Sequence, residues 1–152
     1  MKISIKQALY QNAQFYVEQK LTSIQEGIDR AQAEANREGK SSAGNKYETH
    51  RAMMHLEIER LTQQLNEAQT LEAELVQIDP QVHRSRVSLG ALVETETHHL
   101  LIAISVGPVT LDEREYHIIS PTSPMAMALW DAEVGDVVQL PRGTMVELLK
   151  VE

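Results

Sequence analysis

The chain has 152 residues, of which 42% are hydrophobic and 4% aromatic, and it contains no cysteine. The lack of cysteine excludes disulfides, thiolate catalysis and cysteine-based zinc sites. The net charge of −8, from 14 basic and 22 acidic side chains, argues against sequence-independent nucleic-acid binding, which needs a basic surface. No apolar run of about 18 residues could span a membrane, and residues 1–6 do not resemble a signal peptide. We therefore expect a cytoplasmic protein.

The first predicted element is a long amphipathic helix that begins near Ser4 to Lys6 and ends at about Glu38. Its apolar residues follow alternating steps of three and four, which is the spacing of one helical face. Sustained over several heptads, this spacing predicts a coiled coil. Gly27 lies inside the helix and costs about 1 kcal/mol relative to alanine. The apolar face consists of Leu9, Ala13, Val17, Leu21, Ile24, Ile28, Ala31 and Ala35.

A second helix with the same spacing is predicted from about Asn45 to Gln77, and Asp79-Pro80 ends it. At about 33 residues, each helix has a length of about 50 Å. Because the connection is short, the two helices should form an antiparallel hairpin with their apolar faces as the seam. The second apolar face consists of Tyr47, Met54, Ile58, Leu61, Leu65, Ala68, Leu71, Leu75 and Ile78.

The connection between the helices is rich in glycine, serine and asparagine. Glycine and asparagine tolerate left-handed backbone, and serine and asparagine side chains compete with helical hydrogen bonds. We therefore predict that the hairpin turns at residues 39–47 and presents a small polar tip. The candidate tip residues are Lys40, Ser41, Ser42, Ala43, Gly44, Asn45, Lys46, Tyr47 and Glu48.

After a linker at residues 80–86, the pattern changes to short apolar segments separated by turn residues, which predicts strands. One short helix is expected from Pro124 to Trp130, with Ser123 as its N-cap. The predicted fold class is α+β, with a helical hairpin over 1–79 and a small antiparallel sheet domain with one short helix over 87–152. The predicted strands lie at 87–95, 100–106, 116–119, 137–140 and 145–151, with turns at 107–108, 112–115 and 141–143.

Two segments of the second half carry a resemblance to a known family. Residues 119–129 read ISPTSPMAMAL and residues 134–138 read VGDVV, which is similar to the ISxxSPxARAL…VGDxV signature of the Gre-family bacterial transcription factors. Residues 33–39, AEANREG, followed by Tyr47, resemble the hairpin tip of the same family. The resemblance extends over nearly the whole chain.

The resemblance implies an FKBP-like sheet domain that docks on the rim of the secondary channel of RNA polymerase. The hairpin would then reach toward the active centre, with indirect contact to nascent RNA. Met127 stands where the family has arginine, so the implied polymerase contact departs from the family at this position. The implied docking residues are Thr122, Ser123, Pro124, Met125 and Met127.

The tip differs from that of the family at the positions that carry its acidic residues. In that family, two acidic tip residues help the polymerase to hold its second Mg²⁺ and a water, and the backtracked RNA 3′ end is hydrolysed. Aligning Gly39 and Tyr47 with the family places Lys40 and Ala43 at those acidic positions. Neither side chain can ligate Mg²⁺, so we expect a regulator with no catalytic residue, metal or cofactor. Glu48 is either a substitute ligand or a residue favoured by the helix dipole.

Other candidate residues favour structural roles. His98 and His99 are adjacent in a predicted hairpin, where neighbouring side chains of a strand point to opposite faces. His55 and Glu59 could share a metal but lack a third ligand, so these histidines are interpreted as surface residues. Trp130 is interpreted as core, with docking as the alternative. Two further functions stay open, which are an FKBP-like isomerase or chaperone and a structural adaptor that binds through its coiled coil.

Overall fold

The computed structural model of the chain describes residues 3–37 and 44–152. The first helix, α1, spans Ile5–Asn36, and the second, α2, spans Gly44–Val76. The ends of both helices lie within two residues of the predicted ends. The predicted tip residues Lys40, Ser41, Ser42 and Ala43 lie outside the described residues. Residues 44–47, which were predicted to belong to the turn, form the first turn of α2.

Six strands and one short helix follow. The elements are β1 (Leu92–Thr95), β2 (His99–Ile102), β3 (Gly107–Leu111), β4 (Arg114–Ile119), α3 (Pro124–Leu129), β5 (Val137–Gln139) and β6 (Met145–Val151). The strands form one sheet in the order β3-β4-β2-β1-β6-β5. The predicted α+β class is confirmed. The sheet is not wholly antiparallel, because β2 and β4 pair in parallel.

Strand β3 was not predicted, because Gly107 and Pro108 were interpreted as a turn. Both residues lie in the strand and pair with β4. A proline is tolerated here because β3 is an edge strand, where its missing N–H costs no ladder hydrogen bond. The actual turn is shorter than predicted and consists of Asp112 and Glu113, whose φ values are 50° and 66°. Two consecutive positive φ angles suit the right-handed twist of a tight hairpin.

The core of the sheet region lies between one face of the sheet and α3. Buried residues alternate with exposed ones along β6, as expected for a strand with one covered face. Ala126 and Leu129 are the buried residues of α3. The core cluster consists of Val87, Ala91, Val93, Leu100, Ile102, Ala126, Leu129, Ala132, Leu140, Val146, Leu148 and Val151.

The chain divides into two compact units, one made of residues 1–16 and 73–152 and the other of residues 17–72. In the first unit, the Nζ atom of Lys6 donates hydrogen bonds to the backbone oxygens of Val82 at 2.8 Å and Glu152 at 3.0 Å. The Tyr10 hydroxyl donates to the Leu75 oxygen at 2.8 Å. The domain limits predicted at 79 and 86 follow sequence signals rather than contacts, and they stay a prediction.

The second unit is a pair of antiparallel helical segments. Within this unit the predicted seam is confirmed, because each predicted seam residue between positions 17 and 72 is buried or half-buried. Gly27 lies on this seam, where a Cβ atom would be 3.2 Å from Leu61 Cδ1. Glycine therefore permits a close approach of Leu61 to the backbone of α1. Among the described residues, no helix is both long and apolar enough to cross a membrane.

Candidate functional site

The predicted docking segment forms the beginning of α3. Ser123 is its N-cap, as predicted, with φ −65° and ψ 148°. The Ser123 hydroxyl donates to the Ser120 oxygen at 2.8 Å and accepts the Ala126 N–H at 3.2 Å. Pro124 follows in the first turn, where its missing N–H has no helical partner to lose. The segment is therefore held by local hydrogen bonds that its own sequence specifies.

The predicted docking residues differ in what they present to solvent. Thr122, Pro124 and Met127 are exposed, and Met127 has 65% of its surface accessible. Ser123 and Met125 are half-buried, and Met125 packs against the core. Three of the five side chains are thus free to contact a partner, whereas Ser123 has its main contacts within the fold.

Trp130 was interpreted as a core residue, and this prediction is wrong. The side chain is 45% exposed. Trp130 is the C-cap of α3, and the next residue, Asp131, has a φ of 66°. The chain therefore turns away directly after α3, which leaves the indole at the surface.

The turn after α3 is tied to the linker segment before β1. Backbone hydrogen bonds of 2.8 Å join Val87 N–H to the Ala132 oxygen and Asp131 N–H to the Val87 oxygen. The Arg86 guanidinium donates to the Asp131 oxygen at 3.0 Å and lies 3.4 Å from a Glu133 carboxylate oxygen. This role of Arg86 was not predicted from the sequence, because Asp131 lies 45 positions further along the chain.

An apolar groove of about 720 Å³ opens beside the docking segment. Its walls come from the turn between β1 and β2, the end of β4, the beginning of α3 and the turn between β5 and β6. Ser123, Pro124 and Met125 are the predicted docking residues that line it. The other lining residues are Thr97, His98, Ile119, Leu140, Pro141, Arg142 and Thr144. The groove was not predicted from the sequence, because four separate segments form it.

The described part of the hairpin tip carries opposite charges. Lys46 and Glu48 are exposed and Tyr47 is half-buried. The Glu34 carboxylate lies 3.4 Å from the Arg37 guanidinium and 3.5 Å from His50 Nε2 on α2. The contact with His50 is an ion pair only when that imidazole is protonated. These residues link α1 to α2 next to the tip.

The candidate histidines have different surroundings. His55 is exposed and His98 is half-buried, and Nδ1 of His98 lies 2.8 Å from the Thr97 hydroxyl. His99 is also half-buried, and its ring packs edge-on against buried Tyr116 with ring centres 5.6 Å apart. Within residues 3–37 and 44–152, no three His, Asp or Glu side chains are grouped closely enough to hold a metal ion.

Comparisons with known proteins give likenesses of architecture. No protein-family model and no curated protein matches the sequence. Gfh1, the GreA factor homolog 1 of Thermus thermophilus, is 19% identical with a TM-score of 0.35, and 94% of each chain is covered. Gfh1 of Thermus aquaticus is 21% identical with a TM-score of 0.36, covering 94% of this chain and 93% of that one.

A further structure, that of the transcription factor Gfh1, is 20% identical to this chain with a TM-score of 0.33. The match covers 94% of this chain and 92% of that one. With scores below 0.5, these likenesses carry no conclusion about partners or activity. The order of elements in the chain itself, two long helices followed by a mostly antiparallel sheet with one short helix, is the order that the Gre resemblance predicts.

Proposed function

We propose that the chain is an RNA polymerase-binding regulator of transcription elongation that docks through the beginning of α3. One observation carries the proposal. The segment that resembles the Gre signature forms a capped helix start, and it presents Thr122, Pro124 and Met127 to solvent. A partner-binding segment needs this combination of fixed backbone and exposed apolar side chains, because a preorganised surface loses less entropy on binding.

The hairpin is proposed to enter the secondary channel without stimulating transcript cleavage. Completing the ligand shell of a second Mg²⁺ requires oxygen donors. By the resemblance, Lys40 and Ala43 occupy the two positions where the family supplies them. The tip therefore lacks the acidic pair, and its effect would come from occupying the channel and from the positive charge of Lys40 and Lys46 near nascent RNA.

Binding is tested with purified core RNA polymerase and a Met127→Glu variant. Burying a methionine contributes about 1.5–3 kcal/mol, so its replacement by a charged side chain should weaken binding by about ten- to a hundredfold. Met145→Glu is the matched control, because Met145 is 56% exposed on β6 and does not line the groove. Equal affinities of the two variants, or no binding by the unmodified chain, would refute docking through α3.

Cleavage is tested on a backtracked polymerase complex. The unmodified chain should leave the RNA length unchanged, whereas a Lys40→Asp, Ala43→Glu double variant should shorten the RNA because it restores two oxygen donors. Shortening by the unmodified chain that Glu48→Ala abolishes would instead support the alternative of an active factor with a rearranged tip.

The isomerase alternative is less well supported. Prolyl-peptide sites of that class are lined by aromatic side chains, and none of the described residues that line the groove is phenylalanine, tyrosine or tryptophan. An assay on a prolyl peptide should therefore show no acceleration. The adaptor alternative has no separate observation in its favour.

A further inference from the structure

The floor of the groove is part of the folded core. Leu140 is 6% exposed and belongs to the core cluster, and Ile119 and Met125 pack against that cluster. An apolar side chain that enters the groove would therefore contact a surface that is already ordered. The volume of about 720 Å³ lies within the range of sites that hold small ligands or a few side chains.

The rim of the groove carries a charge opposite to that of the whole protein. The chain has a net charge of −8, yet no aspartate or glutamate is among the described residues that line the groove, whereas Arg142 is. Arg142 is exposed, and no ion pair involves it within the described part of the chain. Its guanidinium is thus available to a partner.

The backbone that carries Arg142 is fixed by the turn between β5 and β6. Leu140 N–H donates to the Thr144 oxygen and Gly143 N–H donates to the Leu140 oxygen, both at 2.8 Å. Gly143 has a φ of 91°, a conformation that glycine adopts without strain. The backbone of Arg142 is therefore held in a defined position beside the apolar floor.

We propose that this groove binds a polymerase segment in which an apolar side chain stands next to a carboxylate. The apolar side chain occupies the floor made by Ile119, Met125 and Leu140, and Arg142 pairs with the carboxylate at the rim. A guanidinium and a carboxylate form two parallel hydrogen bonds, which fix the relative orientation of the two groups and strengthen the contact. The inference rests on the proposed function and adds to it the chemistry of the polymerase element that is recognised.

The test measures the affinity of the full chain for immobilised core RNA polymerase at two salt concentrations. Arg142→Glu should weaken binding about thirtyfold or more, because it places two negative charges opposite each other at the contact. Thr144→Glu, which adds a negative charge to the rim, should weaken binding as well. Arg142→Ala should reduce the dependence of the affinity on salt. Circular dichroism checks that each variant is folded.

Arg114→Glu and Thr110→Glu are the matched controls, because both residues are exposed in the same unit but lie outside the groove. Each should change the affinity by less than about threefold. If the unmodified chain binds and both rim variants bind as tightly as their controls, the inference is overturned while the proposed function stands. If the unmodified chain does not bind polymerase, the proposed function fails and the inference fails with it.

Two other occupants would also overturn the inference. The first is a second copy of this chain, which would appear as a dimer in sedimentation that Arg142→Glu dissociates. The second is nucleic acid, which would appear as binding to short single-stranded RNA that the same substitution abolishes. With an acidic polymerase segment as the occupant, the unmodified chain should be monomeric and should not bind the RNA.

Discussion

Replacing Lys6 by methionine tests how much the hydrogen bonds of Lys6 stabilise the compact unit that contains the beginning of α1. Lys6 is only 4% exposed, and its ammonium group donates to two backbone oxygens. Two hydrogen bonds from a charged group contribute about 3–6 kcal/mol together. Removing a buried charge returns about 1–4 kcal/mol. The difference predicts that Lys6→Met lowers the free energy of unfolding by about 2 kcal/mol.

Urea unfolding followed by the fluorescence of Trp130 measures this loss. Trp130 is the only tryptophan, and it lies in the same compact unit as Lys6, so the signal reports the unit that the substitution affects. Gln14→Met, at an exposed position of α1 in the same unit, is the control and should change stability by less than about 0.5 kcal/mol. An unchanged or increased stability of Lys6→Met would refute the reasoning.

The pH dependence of the free energy of unfolding gives an independent check on the contribution of Lys6 to stability. Burial, reinforced by the charge of Arg84, lowers the pKa of Lys6 below its usual 10.5, although Glu152 and Asp79 act in the opposite direction. Between the lowered pKa and 10.5, the unfolded chain binds more protons at this group than the folded chain, so stability from Lys6 rises with pH. The difference in stability between the unmodified chain and Lys6→Met should therefore widen as pH rises toward 10.5. A difference that narrows would contradict the assignment.

Two further predictions concern local structure. Ser123→Ala removes the N-cap of α3 and should cost about 1 kcal/mol, which thermal unfolding measures; no change would mean that the hydroxyl contacts are not needed. Gly27→Ala gains about 1 kcal/mol of helix propensity but brings Cβ to 3.2 Å from Leu61. Because Gly27 and Leu61 border an open depression of about 410 Å³, Leu61 has room to shift, and we expect a net gain of about 0.5 kcal/mol. A loss of stability would show that Leu61 is held in place.

Features set by local sequence were predictable. The spacing of apolar residues identified both long helices and their seam, since that spacing depends only on the helical repeat. Ser123 followed by Pro124 identified the start of α3 for a similar reason, because both residues act on the turn that they begin. Strand β3 was missed because a glycine and a proline usually mark a turn, and only the position at the edge of the sheet makes them acceptable in a strand.

Features that depend on distant contacts were not predictable. Lys6 is charged and lies at the start of a helix, and no residue near it in the sequence indicates that it will be buried. Its hydrogen-bond acceptors, Val82 and Glu152, lie 76 and 146 positions further along the chain. The groove was not predicted because its floor is made by Ile119, Met125 and Leu140, which come from different segments of the chain. Arg142 looked like an ordinary turn residue, and its significance comes only from the absence of carboxylates among the described residues that line the groove.

The most direct test of the central claim is a competition assay on a backtracked RNA polymerase complex that also contains a cleavage-active Gre factor. A regulator that occupies the secondary channel without acidic tip residues should suppress cleavage as its concentration rises, and it should not shorten the RNA by itself. Cleavage by the chain alone, or undiminished Gre-stimulated cleavage at saturating chain, would contradict the account.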